Sequence, residues 1–250
     1  MPNERLRDAI HKQGLTPTAL AELIHVDPKT VERWITQDRS PYRKHRSAVT
    51  ALLKESETYL WPNALSDERS AEVSQSELAH IYPRRAAVPP ETWQHMLDSA
   101  TRQVGVLVYA GLFVPEQNPR WVSTLREKAE SGVKVEILLG DPDGAQIAER
   151  GADEGIGNSM SAKVHNVLAY YKELREVENV AIYFHDTTLY NSIYRFDDEM
   201  LVNTHLFGTP AAYAPVLHLR RLAGGELFEN YTSSFNRVLG RSRVVWPDQW

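Results

Sequence analysis

The chain has 250 residues, 42% hydrophobic and 24% charged, with a formal net charge of −5 and no cysteine. This is room for two domains with a sizeable core, and it excludes disulfides, thiolate metal sites and a cysteine nucleophile. The acidic total does not exclude nucleic acid, because residues 1–60 carry ten Lys/Arg against eight Asp/Glu while the other 190 carry 18 against 25.

The N-terminus has no apolar signal-peptide core, and no run approaches a membrane span. A soluble, cytoplasmic protein without membrane contact is expected. Asn3 to Gln13 reads as a first helix, with Leu6, Ala9 and Ile10 at helical spacing and Gly14 as its cap. Thr16 and Pro17 open a second helix, where Ala19, Leu20, Leu23 and Ile24 share an apolar face, and His25-Val26 closes it. Asp27 and Pro28 open a third, with Val31, Trp34 and Ile35 inward and Lys29, Glu32 and Arg33 outward. A basic run follows, Arg39 and then Arg43-Lys44-His45-Arg46. Ser47 to Leu60 reads as one further helix with Val49, Leu52, Leu53 and Leu60 inside, and Leu60-Trp61-Pro62 ends the domain.

Two short helices joined by a tight turn, the second with polar reach, form the pattern of a helix-turn-helix. In that pattern the second helix enters the major groove. Lys29, Thr30 and Arg33 are the base-reading candidates, and Thr18, Arg39, Arg43, Lys44 and Arg46 the phosphate candidates. LAELIHVDPKTVERWITQDRSPYRKHR resembles the helix-turn-helix of the XRE (lambda and Cro repressor-like) family. The resemblance covers roughly residues 3 to 58. It rests on the small-residue-rich second helix, the polar third helix with Trp34 near its end, and Arg39-Ser40-Pro41 after it. It implies sequence-specific binding of double-stranded DNA.

Residues 62–90 are rich in Ser, Glu and Ala and read as a linker, with one short helix around Ala71 to Ile81. Tyr82-Pro83-Arg84-Arg85 is read as an ordered interdomain connector, with a docking strip for domain packing or an extra DNA contact as the alternatives. From residue 91 to 250, helical and strand patterns alternate. Thr92 to Gln103 and Arg120 to Ser131 read as helices. Val104 to Ala110 and Val133 to Leu139 read as strands, and Gly140-Asp141-Pro142-Asp143 as a turn. Gly151 to Gly157 reads as a glycine-rich loop over a cleft. Ala162 to Glu176 is a helix and Val180 to Phe184 a strand. Leu189 to Phe196 and Met200 to Leu206 form a hairpin about Asp197-Asp198-Glu199. Pro215 to Leu222 is a strand, and Leu227 to Leu239 a closing helix. The fold class predicted is α + α/β: an all-α helix-turn-helix domain at 1–61, a linker at 62–90, and an α/β domain with a mixed sheet at 91–250.

This element order, with the hairpin LYNSIYRFDDEMLVNTHLFG, resembles one half of a phospholipase D-like domain over about 150 residues. That family carries a His-x-Lys-x4-Asp motif, followed by a Gly-Ser-x-Asn-like segment. The resemblance places Asp197 at the family Asp, Tyr190 at the His and Ser192 at the Lys, with Asn203-Thr204-His205 near the second segment. Tyrosine, whose proton leaves near pH ~10, is a poor substitute for a histidine nucleophile, and serine brings no charge for phosphate oxygens. No histidine in the chain has lysine two positions later, so catalysis of the family type is not expected.

A retained pocket for a small anionic ligand would draw on Tyr190, Ser192, Arg195, Asp197, Asn203, His205, His218 and Arg220. No metal or cofactor site is predicted. Single-half members of that family pair as homodimers, which suits a helix-turn-helix reading two half-sites. A homodimeric transcription regulator is therefore expected. A phosphodiesterase or nuclease targeted to DNA, and a module that binds a partner protein, are the alternatives.

Overall fold

The structure, a computed structural model, describes residues 3–37, 39–62, 64 and 67–246, and for 67–71 the backbone alone. Residues 63, 65 and 66 of the predicted linker, and the extreme ends of both predicted domains, lie outside the described residues. The chain divides into two compact units. The first is Met1–Glu77 with Arg221–Asn230, and the second holds the described residues of Leu78–Arg220 and Tyr231–Trp250.

The first unit is helical: α1 (Glu4–Lys12), α2 (Pro17–Leu23), α3 (Pro28–Thr36), α4 (Arg43–Leu53), α5 (Glu57–Leu60) and α6 (Asp67–Glu77). Asn3 caps α1 through the Leu6 amide at 3.0 Å, and its Nδ2 donates to Leu60 O at 2.6 Å. Leu6, Ile10, Leu20, Ala21, Val31, Trp34, Ile35, Val49, Leu53 and Trp61 make one core. Each such large side chain contributes about 1.5–3 kcal/mol on leaving water. Leu23 and Leu52, predicted inside, are 53% and 37% exposed. The buried stripe of α2 runs through Leu20, Ala21 and Ile24, so Leu23 falls off its edge.

The single helix predicted over Ser47 to Leu60 is two helices. Lys54 adopts a left-handed conformation (φ 54°) and Ser56 starts α5 by accepting from Tyr59 N at 3.0 Å. The basic run Arg43 to Arg46, read as lying ahead of the predicted helix, is the first turn of α4. The segment 221–230 is the distant part of this unit. Glu77, fully buried, accepts from Leu227 N at 2.8 Å and from Leu222 N and Phe228 N at 3.4 Å, and Thr58 donates to Gly225 O at 3.0 Å.

The second unit is built on an eight-stranded mixed sheet in the order β1-β7-β6-β5-β2-β3-β4-β8. The strands are β1 (Leu78–Tyr82), β2 (Gln103–Val108), β3 (Lys134–Gly140), β4 (Val180–His185), β5 (Asn191–Phe196), β6 (Glu199–Thr204), β7 (Val216–Arg220) and β8 (Arg243–Val244). β2, β3 and β4 run parallel and the other pairings are antiparallel. The helices α7 (Pro90–Ser99), α8 (Phe113–Gln117), α9 (Trp121–Glu130), α10 (Ala145–Asp153) and α11 (Ser159–Tyr171) lie between strands in the chain, and α12 (Leu227–Leu239) follows β7.

Trp93 packs edge-on to Tyr194 at 4.9 Å and Trp121 to Phe196 at 6.3 Å, which covers one face. Phe235 approaches the other face through Gly105, where a Cβ would lie 3.1 Å from its ring. Residues 78–82, predicted to be linker, are an edge strand of this sheet, paired to β7 with a bulge between Leu78 and His80. Gly151 to Asp153, predicted to be loop, end α10. Gly151 is needed there because a Cβ would meet the Gly157 carbonyl oxygen at 2.2 Å.

Candidate DNA interface and pocket

Local capping positions the first candidate site. Thr16 Oγ1 accepts from Ala19 N at 3.1 Å to start α2. His25, in the left-handed region (φ 56°), turns the chain, and Asp27 accepts from Lys29 N at 2.8 Å to start α3. Val31, Trp34 and Ile35 point inward, and Trp34 packs edge-on to Trp61 at 6.4 Å. The opposite face is thereby presented to solvent: Lys29 and Arg33 are exposed and Thr30 half-buried, while Thr18 on α2 and Arg39, Arg43 and Lys44 are exposed.

Arg46 does not belong with them. Its Nε pairs with Glu57, its Nη1 donates to Pro41 O at 2.6 Å, and the two charged side chains are 12% and 7% exposed. A guanidinium held this way ties α4 to α5 and to the turn before α4, and is not offered to a phosphate.

The second candidate site is a cavity of about 220 Å³ beyond the carboxyl end of β2, the usual place for ligands on open α/β sheets. Of the eight predicted pocket residues, only Ser192 and His205 line it. Ser192 Oγ lies 3.0 Å from His205 Nε2, and His205 Nδ1 lies 3.1 Å from Leu189 O. The carbonyl can only accept, so Nδ1 carries the proton and the serine hydroxyl donates to Nε2. Burial first, and then the charges of Arg150 and Arg85, lower the His205 pKa to about 4. The ring is neutral at physiological pH, and so weak a base is poorly matched to activating a serine there.

The other six are placed elsewhere. Tyr190 is 80% exposed. Arg195 points to the opposite face of the sheet from Ser192, because strand side chains alternate, and its Nε donates to Asp197 O at 3.1 Å. Asp197 sits at the far end of β5, roughly 16 Å along the strand from Ser192. It accepts from the amides of Thr101, Arg102 and Gln103 at 2.8, 3.0 and 2.8 Å. Burial opposes its charge, but those amides and the Thr101 hydroxyl outweigh it and hold the carboxyl below the usual range.

Asn203, fully buried, donates to Ala214 O at 3.2 Å and Pro215 O at 3.1 Å and so anchors the loop between β6 and β7. His218 Nε2 lies 2.8 Å from Glu199 Oε2, and the exposed Arg220 3.4 Å from Glu199 Oε1. These three form a separate cluster near the far end of β6 and β7.

Residues that the sequence reading missed complete the cavity. Tyr109, at the end of β2, accepts from Leu189 N at 2.9 Å through its hydroxyl and stacks on His205 at 5.4 Å. Arg85 lies over the Phe113 ring, 3.8 Å from its centroid, and Arg150 and Lys163 come from α10 and α11. Burial pushes the Tyr194 hydroxyl up to about 12 against the opposing pull of Arg85. Arg84-Arg85 was visible only as a basic pair in a connector, and Arg150 only beside a glycine-rich stretch.

No family model matches the chain, and no curated protein sequence matches it. Several solved structures are similar. TrmBL2, an archaeal chromatin protein described as showing a novel mode of DNA binding, is 16% identical with a TM-score of 0.43, over 88% of this chain and 72% of its own. The phospholipase D family member Nuc from Salmonella typhimurium is 14% identical with a TM-score of 0.35, over 60% of this chain and 86% of its own. Phosphatidylserine synthase of Haemophilus influenzae is 13% identical with a TM-score of 0.41, over 97% of this chain and 53% of its own, so the chain spans about half its length. Among the described residues no helix is long and apolar enough to cross a membrane.

Proposed function

We propose that this protein is a sequence-specific DNA-binding transcription regulator of XRE type, acting as a homodimer through a phospholipase D-like second unit that does no chemistry. The observation that carries the reading is the α2–α3 pair. Its inner face is spent on Val31, Trp34 and Ile35, which leaves Lys29, Thr30 and Arg33 outward on a capped helix of nine residues. A helix presented that way fits a major groove, with Arg33 on a guanine edge. The exposed Thr18, Arg39, Arg43 and Lys44 would hold phosphates, with the amino end of α4 adding its dipole.

Support for pairing comes from Tyr190, Phe207 and Tyr213, which are 80%, 87% and 67% exposed at the base of the β5–β6 hairpin and in the loop after it. Such apolar exposure is a liability that a second copy would relieve. Support for a silent second unit is the replacement of the His-x-Lys pair by Tyr190 and Ser192, and the weak basicity of His205.

Selection from random duplex DNA with the full chain tests the reading, with an enriched inverted repeat expected. On that repeat Arg33→Ala should cost about 1–3 kcal/mol and relax one base position. Lys44→Ala should weaken all sequences alike and reduce the salt slope by about one. Absence of any enriched sequence would sink the proposal. An aryl phosphodiester should be turned over no faster than by denatured protein. Turnover that Ser192→Ala or His205→Ala abolished would make the second unit an enzyme.

A further inference from the structure

The cavity beyond β2 is lined by three cations, Arg85, Arg150 and Lys163, and two carboxylates, Glu116 and Glu154. The Arg150 side chain is 8% exposed, it pairs with Glu154 at 2.6 Å, and its Nη2 donates to Thr209 O at 3.0 Å. Its Nε–H is buried and has no partner among the described residues. That nitrogen has almost no accessible surface, so what Arg150 offers the cavity it lines is its charge rather than this N–H.

Arg85 lies over the Phe113 ring, 3.8 Å from its centroid, which pre-orients a planar donor set at little further loss of freedom. Lys163 adds a third positive charge at the wall. Of the two carboxylates there, Glu154 is already spent on Arg150 and Glu116 is exposed. His205 senses the result, since after burial it is these arginines that depress its pKa. Tyr109 and Tyr194, both buried, also line the space. At about 220 Å³ the space is smaller than the roughly 300–1,000 Å³ of pockets for drug-sized ligands. It suits a single ring and its substituent.

We infer that this cavity binds a small aryl anion, one flat ring carrying a carboxylate or a phosphate, with Arg150 and Arg85 on the anionic head and the tyrosines against the ring. The inference concerns the second unit alone and goes beyond the DNA-binding reading, so its test is run without DNA.

Calorimetric titration of the full chain with benzoate and with phenyl phosphate should give saturable binding, one per chain, to at least one of them. The cation benzylamine should give none. Which of the two anions binds tighter distinguishes a carboxylate head from a phosphate head. Arg85→Met should weaken binding about tenfold or more, and Arg150→Met should do the same if the chain still folds without its buried pair. Lys163→Met, at a half-buried position, keeps the question open to test even if both arginine variants misfold, with a smaller but measurable weakening expected. No binding of either anion at about 10 mM would overturn the inference. So would binding that every folded variant leaves unchanged, or inorganic phosphate and acetate binding as tightly as their aryl counterparts.

Discussion

Replacing Arg46 with alanine separates the residues that build the DNA-binding unit from those that would touch DNA. In the folded protein Arg46 holds Glu57 and the Pro41 carbonyl, and the Glu57 side chain is 7% exposed. Alanine leaves a buried carboxylate without its counter-ion. Loss of one partner from a buried pair costs about 3–5 kcal/mol, because the remaining charge keeps its desolvation penalty. The freed carbonyl of the buried Pro41 adds about 1–3 kcal/mol.

The urea midpoint of the first unit, followed by tryptophan fluorescence at Trp34 and Trp61, should therefore fall sharply. Lys44→Ala, two residues away and exposed, should leave it in place. The double replacement Arg46→Met with Glu57→Leu should recover most of the loss, since apolar side chains of similar size remove both charges together. If Arg46→Ala kept the midpoint and lost DNA affinity with the salt dependence of a phosphate contact, the assignment of Arg46 to the fold would be refuted.

Glu77 should make its unit sensitive to pH in an unusual direction. Burial is the largest influence and raises its pKa above 4.5, against the backbone amides of Leu227, Leu222 and Phe228. Its contribution is thus complete below the unfolded value and is lost as pH rises through the folded one. Relative to Glu77→Gln, which does not titrate, the native chain should lose stability across that window, and denaturant melts showing the opposite slope would reverse the assignment. His205 runs the other way. With a folded pKa of about 4, acidification from the unfolded value near 6.5 should remove up to roughly 3 kcal/mol, a loss absent in His205→Gln and visible in melts between pH 7 and about 4. Gly151→Ala should cost about 1–3 kcal/mol, because the new methyl meets the Gly157 carbonyl; an unchanged urea midpoint would show that the loop yields freely.

The elements with strong local signals were legible in the chain. α3 begins where Asp27-Pro28 places it, and α12 spans Leu227–Leu239 as its apolar spacing predicts. The hairpin turns at Asp197-Asp198, where Asp197 takes a positive φ. Leu78–Tyr82 was not legible as a strand. It follows a helix directly, and its sheet partner among the described residues, β7, is some 140 residues on, so nothing in its own pattern shows the pairing. Arg46 was legible as a charge but not as a buried one, since a basic run looks the same whether a carboxylate eleven residues later faces it or not.

By itself, then, the sequence determined what depends on neighbours a few residues apart: caps, helical faces, the hairpin turn, and the change of charge between the two parts of the chain. It also put Ser192 and His205 within reach of each other, because a hairpin pairs nearby positions. The tertiary structure alone decided that Arg85, Tyr109, Arg150 and Lys163 share one wall, and that Arg195, Asp197, His218 and Arg220 do not. The first four come from four separate elements brought together by the order of strands and the helices that connect them. The second four were set apart by the alternation of a strand and the length of a sheet. Charge collects in a pocket through chain crossings over tens of residues, and local pattern carries no record of them.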